Sequence, residues 1–131
     1  MILDTEFLIS LRAADDGAVE LATELEAAGV PTRVPTIVIE ELYVGAGAGA
    51  TPEQNAQAYD ALVANMPVVE LNEPIARRAG ILEGKHVASD SKPALGPADA
   101  IVAATGLVHE EGVVTNDEDF ESIDGLTVES Y

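Results

Sequence analysis

The chain contains no cysteine, which removes disulfide frameworks, thiolate zinc sites, iron–sulfur clusters and cysteine nucleophiles together. Any metal site must use oxygen or imidazole ligands. Basic residues are scarce as well: six Lys and Arg stand against 24 Asp and Glu, for a formal charge of −18 and a pI near 4.1. Such a surface repels itself and repels nucleic acid. There is no tryptophan, and two Phe with three Tyr are too few to argue sequence-specific RNA readout by base stacking. No apolar run approaches the ~20 residues that span a bilayer. The opening Met1-Ile2-Leu3-Asp4 has neither the basic leader nor the apolar stretch of a secretory signal, so a cytoplasmic location away from membranes is expected.

What is present is enough for a folded core. At 131 residues and 13.6 kDa, one domain over residues 1–131 fits and two do not. An apolar content of 47% and a mean hydropathy of +0.16 exclude a disordered chain. The acids alternate with Ala, Val, Leu and Ile at helical spacing, which describes a folded acidic surface rather than a polar tail. We read this balance as adaptation to very high salt, where the Debye length falls to ~3 Å or less. Screening on that scale relieves both self-repulsion and repulsion of an anionic substrate. An acidic mesophilic protein is the alternative, and it predicts no salt requirement for folding.

Met1 to Leu3 reads as a short strand entering a helix that carries Phe7, Leu8 and Leu11 on one face. Asp16 is the expected cap of a second helix, with an apolar face of Val19, Leu21, Ala22, Leu25 and Ala28 and an end at Gly29. A short strand around Arg33-Val34 precedes an apolar stretch from Thr36 to Val44. The Gly45-to-Ala50 glycine–alanine repeat lacks the Gly-Lys-Ser/Thr ending of a phosphate loop and reads as a flexible connection between helices. Thr51-Pro52-Glu53-Gln54 has the pattern of a capping box for a helix to about Asn65. A strand on Val68-Val69, a helix capped by Asn72 and fading near Val87, a polar loop from Ala88 to Gly96 and a helix from Pro97 to about Val108 follow. Gly112 to Thr115 is a buried strand, Asn116 to Glu121 an acidic turn, and Leu126 to Val128 a last strand. The alternation predicts an α/β fold, a three-layer sandwich around a mostly parallel sheet.

Open parallel sheets bind ligands beyond the carboxyl ends of their strands. Asp4 and Asp117 follow two of those ends. Glu41 and Asp99 sit within apolar helical contexts, where a carboxylate is costly unless paired or metal-bound. Separately, Asp4 and Asp99 could serve as helix-terminal acids, Asp117 as a turn residue, and Glu40 or Glu41 as a solvated glutamate. Jointly, four like charges at one end of a sheet require a cation, and an oxygen-only donor set favours Mg²⁺ or Mn²⁺.

Leu3-Asp4-Thr5 with Phe7-Leu8-Ile9, Glu41-Leu42-Tyr43 with Gly45-Ala46, Ala98-Asp99-Ala100-Ile101-Val102-Ala103-Ala104-Thr105, and Val114-Thr115-Asn116-Asp117 with Asp119-Phe120 together resemble the four acidic motifs of PIN-domain ribonucleases. Their order and spacing fit across essentially the whole chain. The Glu-Leu-Tyr and Ala-Ala-Thr contexts look most like the toxin of VapBC toxin–antitoxin pairs. The resemblance implies that Asp4, Glu41, Asp99 and Asp117 bind Mg²⁺ or Mn²⁺, with Thr115 and Asp119 as accessories and Glu40 a competitor of Glu41. It also implies hydrolysis of RNA to 5′-phosphate and 3′-hydroxyl ends. A metal-free ribonuclease would have only His86 and His109 for acid–base work.

The candidate phosphate contacts are Arg12, Lys85 and Lys92, with His86 beside the latter two. By the same resemblance an antitoxin should lay a C-terminal segment across the acidic groove, where its arginine can pair with Asp4 or Asp99. A homodimer should form through the region from Glu41 to Asn65, which carries Leu42, Tyr43, Val44, Tyr59, Leu62 and Val63. A housekeeping RNA-processing nuclease and a non-catalytic binding module are the competing readings. A phosphoacceptor receiver domain would want an acid pair after the first strand and a lysine after a later one, and neither is there.

Overall fold

The computed structural model describes every residue from Met1 to Tyr131. Its elements are β1 (Ile2–Leu3), α1 (Thr5–Arg12), α2 (Asp16–Ala27), β2 (Val34–Pro35), α3 (Thr36–Ala48), α4 (Pro52–Val63), β3 (Val68–Val69), α5 (Glu73–Ala88), α6 (Pro97–His109), β4 (Val113–Val114), a 3-10 turn (Glu118–Ser122) and β5 (Val128–Glu129). Every strand pairing is parallel: β1 with β4, β4 with β5, and β2 with β3. A parallel bridge between Ile2 and Arg33 joins the two halves. There Leu3 N–H donates to the Arg33 carbonyl at 3.0 Å and Arg33 N–H to that of Met1 at 2.9 Å. The strand order is therefore β3-β2-β1-β4-β5. This is the α/β architecture with a central parallel sheet that the alternation predicts.

Order decides where a ligand can sit. From β1 the chain builds outward to β2 and β3 on one side, then returns to place β4 and β5 on the other. The connections from β1 and β4 therefore diverge, and the crevice between their carboxyl ends is the switch point of the sheet.

The core lies around these two strands. Ile2, Leu3, Val113 and Val114 are essentially inaccessible, together with Phe7 and Leu8 of α1, Val38 and Leu42 of α3, and Phe120 of the 3-10 turn. On α6 four of the six buried residues, Ala100, Ala103, Ala104 and Gly106, are small, beside Val102 and Thr105, which lets the helix lie close on the sheet. A Cβ on Gly106 would meet the Glu111 carbonyl oxygen and Val113 Cγ2 at 2.9 Å and Leu126 Cδ1 at 3.1 Å. Alanine is the better helix former by ~1 kcal/mol, but overpacking costs about 1–3 kcal/mol and one of these neighbours is backbone. Gly106→Ala is therefore expected to lower the melting temperature by several degrees in a thermal scan, and an equal or higher value would contradict the close packing.

Several local expectations are corrected. Asp15, not Asp16, caps α2, its carboxylate accepting from Ala18 N–H at 3.1 Å; this start turns Ala18 and Leu21 inward and leaves Val19 and Ala28 exposed. Gly29, at φ +68°, follows the end of that helix in the left-handed conformation glycine tolerates. The glycine–alanine repeat is no flexible loop: α3 continues through it to Ala48, because Val38, Leu42 and Ala46 form one buried stripe at four-residue spacing. Thr51 precedes α4 without making a side-chain cap, its φ −132° and ψ 71° departing from the extended backbone of the usual capping residue. Asn72 does cap α5, accepting from Ile75 N–H at 3.0 Å. The last strand is centred on Val128–Glu129, slightly later than expected, since Val113 registers with Val128.

Candidate active site

Each of the four acids is placed by a different element. Asp4 leaves β1 and caps α1, accepting from Phe7 N–H at 2.8 Å. Capping satisfies one of its oxygens and leaves the carboxylate facing the crevice. Glu41 lies on α3 and accepts from the Thr5 hydroxyl at 2.7 Å, whereas Glu40 is exposed. Asp99 is the third residue of α6, behind Pro97, where the helix dipole favours an anion. Asp117 follows β4 and opens the 3-10 turn, accepting from Asp119 N–H at 3.0 Å while its own N–H donates to Thr115 Oγ1 at 3.0 Å. All four line one open cleft of about 270 Å³, together with Thr5, Glu6, Ile9 and Val102.

The electrostatics report the same convergence. Burial pushes the Asp4 carboxyl above its usual value, with Glu6 and Asp117 adding to it, while the neighbouring Thr115 hydroxyl and the Phe7 N–H pull the other way. Asp99 is raised to about 6, first by burial and then by the charges of Asp117, Glu41, Asp4 and Asp119. No lysine or arginine lines the cleft. The ion pairs of the protein lie elsewhere, at Glu111 with Arg33 and the Met1 amine, Glu73 with Arg77, and Asp124 with Lys92.

Carboxylates from four elements, repelling one another with no cation among them, fit a hard divalent ion by donor chemistry. In this conformation no three acidic or imidazole side chains surround one point tightly enough to hold it.

The remaining predicted residues fall at varying distance from this chemistry. Thr115 is buried beside Asp4. Asp119 adds to the charge felt by Asp99 but does not line the cleft. Arg12 is engaged on α4, bonded to Asn55 Oδ1 at 3.1 Å with its guanidinium 4.7 Å from the centre of the Tyr59 ring. Lys85 and Lys92 line a depression on α5, not the cleft. Nor does either histidine reach the acids: His86 is buried with Nδ1 2.9 Å from the Pro93 carbonyl, and His109 ends α6. Sequence reasoning missed Thr5 as a partner of Glu41, since nothing local couples residues 36 apart. It missed Ile9 and Val102 as walls of the cleft, although Val102 lies one turn along from Asp99 and Ile9 one turn along from Thr5.

The PIN domain family model matches residues 1–126. No curated protein matches the chain by sequence. Among solved structures, VapBC2 from Rickettsia felis, bound to a promoter DNA fragment, aligns with a TM-score of 0.87 at 20% identity, over 99% of this chain and 97% of that one. A toxin–antitoxin complex from Klebsiella pneumoniae gives 0.72 at 26% identity, over 96% and 94% of the two chains. VapC20 from Mycobacterium tuberculosis, a toxin that cleaves the sarcin–ricin loop, gives 0.69 at 18%, over 96% and 95%.

Proposed function

The chain belongs to the PIN domain family, a family of nucleases, and we propose that it is a divalent-metal-dependent endoribonuclease acting as the toxin of a toxin–antitoxin pair. The observation that carries this reading is the cleft at the β1–β4 crevice, where four carboxylates meet without a counter-charge. Its structural neighbours include a toxin–antitoxin complex and a toxin that cleaves the sarcin–ricin loop.

Asp4, Glu41, Asp99 and Asp117 would hold the ion. Bound there, Mg²⁺ or Mn²⁺ supplies Lewis acidity at the scissile phosphate and offsets charge on the leaving oxygen. Thr5 orients the Glu41 carboxylate through its hydroxyl. Thr115 accepts the Asp117 N–H and faces Asp4, which ties the loop after β4 to the end of β1. Ile9 and Val102 give the cleft apolar walls that limit water around the scissile bond. Cleavage should stop in chelator and return with Mn²⁺ or Mg²⁺, leaving 5′-phosphate and 3′-hydroxyl ends. Chelator-insensitive cleavage by the purified chain would end this reading.

The antitoxin is the proposed partner, and the cytoplasm the proposed location; no helix is long and apolar enough to cross a membrane. An apolar groove of about 440 Å³ runs between α1 and α2, lined by Phe7, Leu11, Ala22, Leu25 and Met66. It suits the apolar side of an antitoxin segment. Self-association through α3 and α4 is also proposed, on a smaller surface than the sequence predicts. Leu42 and Tyr59 pack inside the chain, and of the predicted set Val44 alone is fully exposed, at 60%. Light scattering in high salt should read twice 13.6 kDa; the monomer mass ends the dimer.

A further inference from the structure

The six basic residues are not scattered. Arg33 is held by Glu111 and Arg12 by Tyr59 and Asn55. The other four, Arg77, Arg78, Lys85 and Lys92, lie on α5 or the loop after it. Arg77 pairs with Glu73, and Lys92 with Asp124 at 2.9 Å. Arg78 and Lys85 have no ionic partner, in a chain whose acids outnumber its bases fourfold. Acids were abundant, yet neither cation stands at ion-pairing distance from one, which leaves both exposed heads available to a ligand.

They share a face. Arg78, Ile81 and Lys85 follow one another at helical spacing of three and four residues, and all three line both of two adjoining depressions. One, of about 160 Å³, runs towards Lys92; the other, of about 560 Å³, runs towards Arg77 and Val108. Ile81 is 59% exposed between the cations, an apolar surface on which a ribose or base can rest. At 1.5 Å per residue the rise from Arg78 to Lys85 is about 10 Å. A stacked strand rises ~3.4 Å per nucleotide, so the two cations span roughly three nucleotides. The neighbouring acids limit the strip without neutralising it. Glu111 is taken by Arg33; Asp124 lines the smaller depression, paired with Lys92 and also within the field of Lys85, and Glu110 lies beside Arg78.

We propose that the face of α5 bearing Arg78, Ile81 and Lys85, flanked by Arg77 and Lys92, is a second RNA-binding surface that grips the phosphate backbone of a single strand outside the catalytic cleft. The proposal rests on the ribonuclease reading above. It answers a need of that reading, because the side chains of the cleft are acidic or neutral and leave the ion they would hold as the sole positive charge there. Further attraction for the strand has to come from elsewhere on the molecule, and α5 is where the free cations are.

The test is fluorescence anisotropy of a labelled single-stranded RNA oligonucleotide of mixed sequence. The full chain is held in chelator, over a salt series in which circular dichroism shows it folded. The double variant Arg78→Gln/Lys85→Gln should bind about tenfold more weakly, and its slope of log affinity against log salt should be shallower by about 1.4, at ~0.7 for each phosphate no longer neutralised. Unchanged affinity overturns the proposal and leaves the ribonuclease reading standing if the parent chain still cleaves. An equal loss from Arg12→Gln, whose cation sits on α4, reduces the effect to net charge and also overturns it. Tighter binding of polyglutamate than of RNA, lost in the same double variant, assigns the strip to an acidic protein segment instead. A parent chain that neither binds nor cleaves RNA removes both readings together.

Discussion

Replacing Asp99 with asparagine is expected to lower RNA cleavage by at least a hundredfold while making the metal-free protein more stable at neutral pH. The two effects share one cause. Asp99 feels burial and the charges of Asp117, Glu41, Asp4 and Asp119 at once, which raises it to about 6. A group whose folded-state pKa exceeds its unfolded value of about 3.8 binds protons more tightly when folded. It favours the folded state at low pH, and that contribution is lost as pH rises from about 4 through 6. Above pH 6 the protein holds a strained carboxylate that the amide relieves. The melting temperature of Asp99→Asn in chelator should therefore exceed that of the parent chain at pH 7.5, with the gap closing by pH 4. Added Mn²⁺ should reverse the order at pH 7.5, because the ion stabilises only a chain that can bind it. Asp4→Asn should lose activity equally with a smaller stability gain, since its carboxylate also accepts the Phe7 N–H that holds the first turn of α1. Full activity in either variant would exclude the acids from catalysis.

Salt should change the folded population more than any single substitution. A formal charge of −18 is spread over a protein with four ion pairs, one of which joins exposed groups a helical turn apart and contributes little. At ~0.01 M salt the Debye length is about 30 Å, so every acid repels every other across the molecule; at ~1 M it is about 3 Å and only near neighbours remain. We expect the isolated chain to unfold or lose compactness below roughly molar KCl, and its melting temperature to climb steeply with salt. A flat profile would remove the high-salt reading and leave the catalytic one intact. The same screening permits RNA to approach an anionic cleft, so cleavage should show an optimum at high salt.

What the sequence revealed depended on how local the cause was. The strand-to-helix entry at Asp4 was legible because strand, cap and helix are consecutive. Asp4 and Asp117 stood out at the ends of strands and Glu41 and Asp99 as carboxylates within apolar helical runs, and the fold brings the four to one cleft. Gly45 and Gly47 pointed the wrong way: their helix propensity is poor, but Ala46 between them is buried with Leu42 one turn earlier, and tertiary packing overrides propensity. Arg12 could not be assigned from sequence, because its partner Tyr59 lies on another helix. The strip on α5 was half visible through Lys85 and Lys92. Arg77 and Arg78 joined it only once the helix placed them on the depressions that Lys85 lines.

The strand order also sets a schedule for synthesis. β1 is made first yet occupies the middle of the sheet, and its neighbour β4 is among the last segments to be made. A ribosome adding ~5–20 residues per second needs roughly 6–22 s to travel from Leu3 to Val114. Throughout that interval one edge of β1 waits without a partner, and the cleft lacks Asp99, then Asp117. The apolar groove between α1 and α2 is different, since its lining is complete in the nascent chain by Pro67. A partner that recognises this groove can therefore bind while the chain is still being made, before the residues that complete the acidic cleft have been added. Under the reading proposed above, the groove that would take the partner is made before the acids that would cleave RNA are all in the chain.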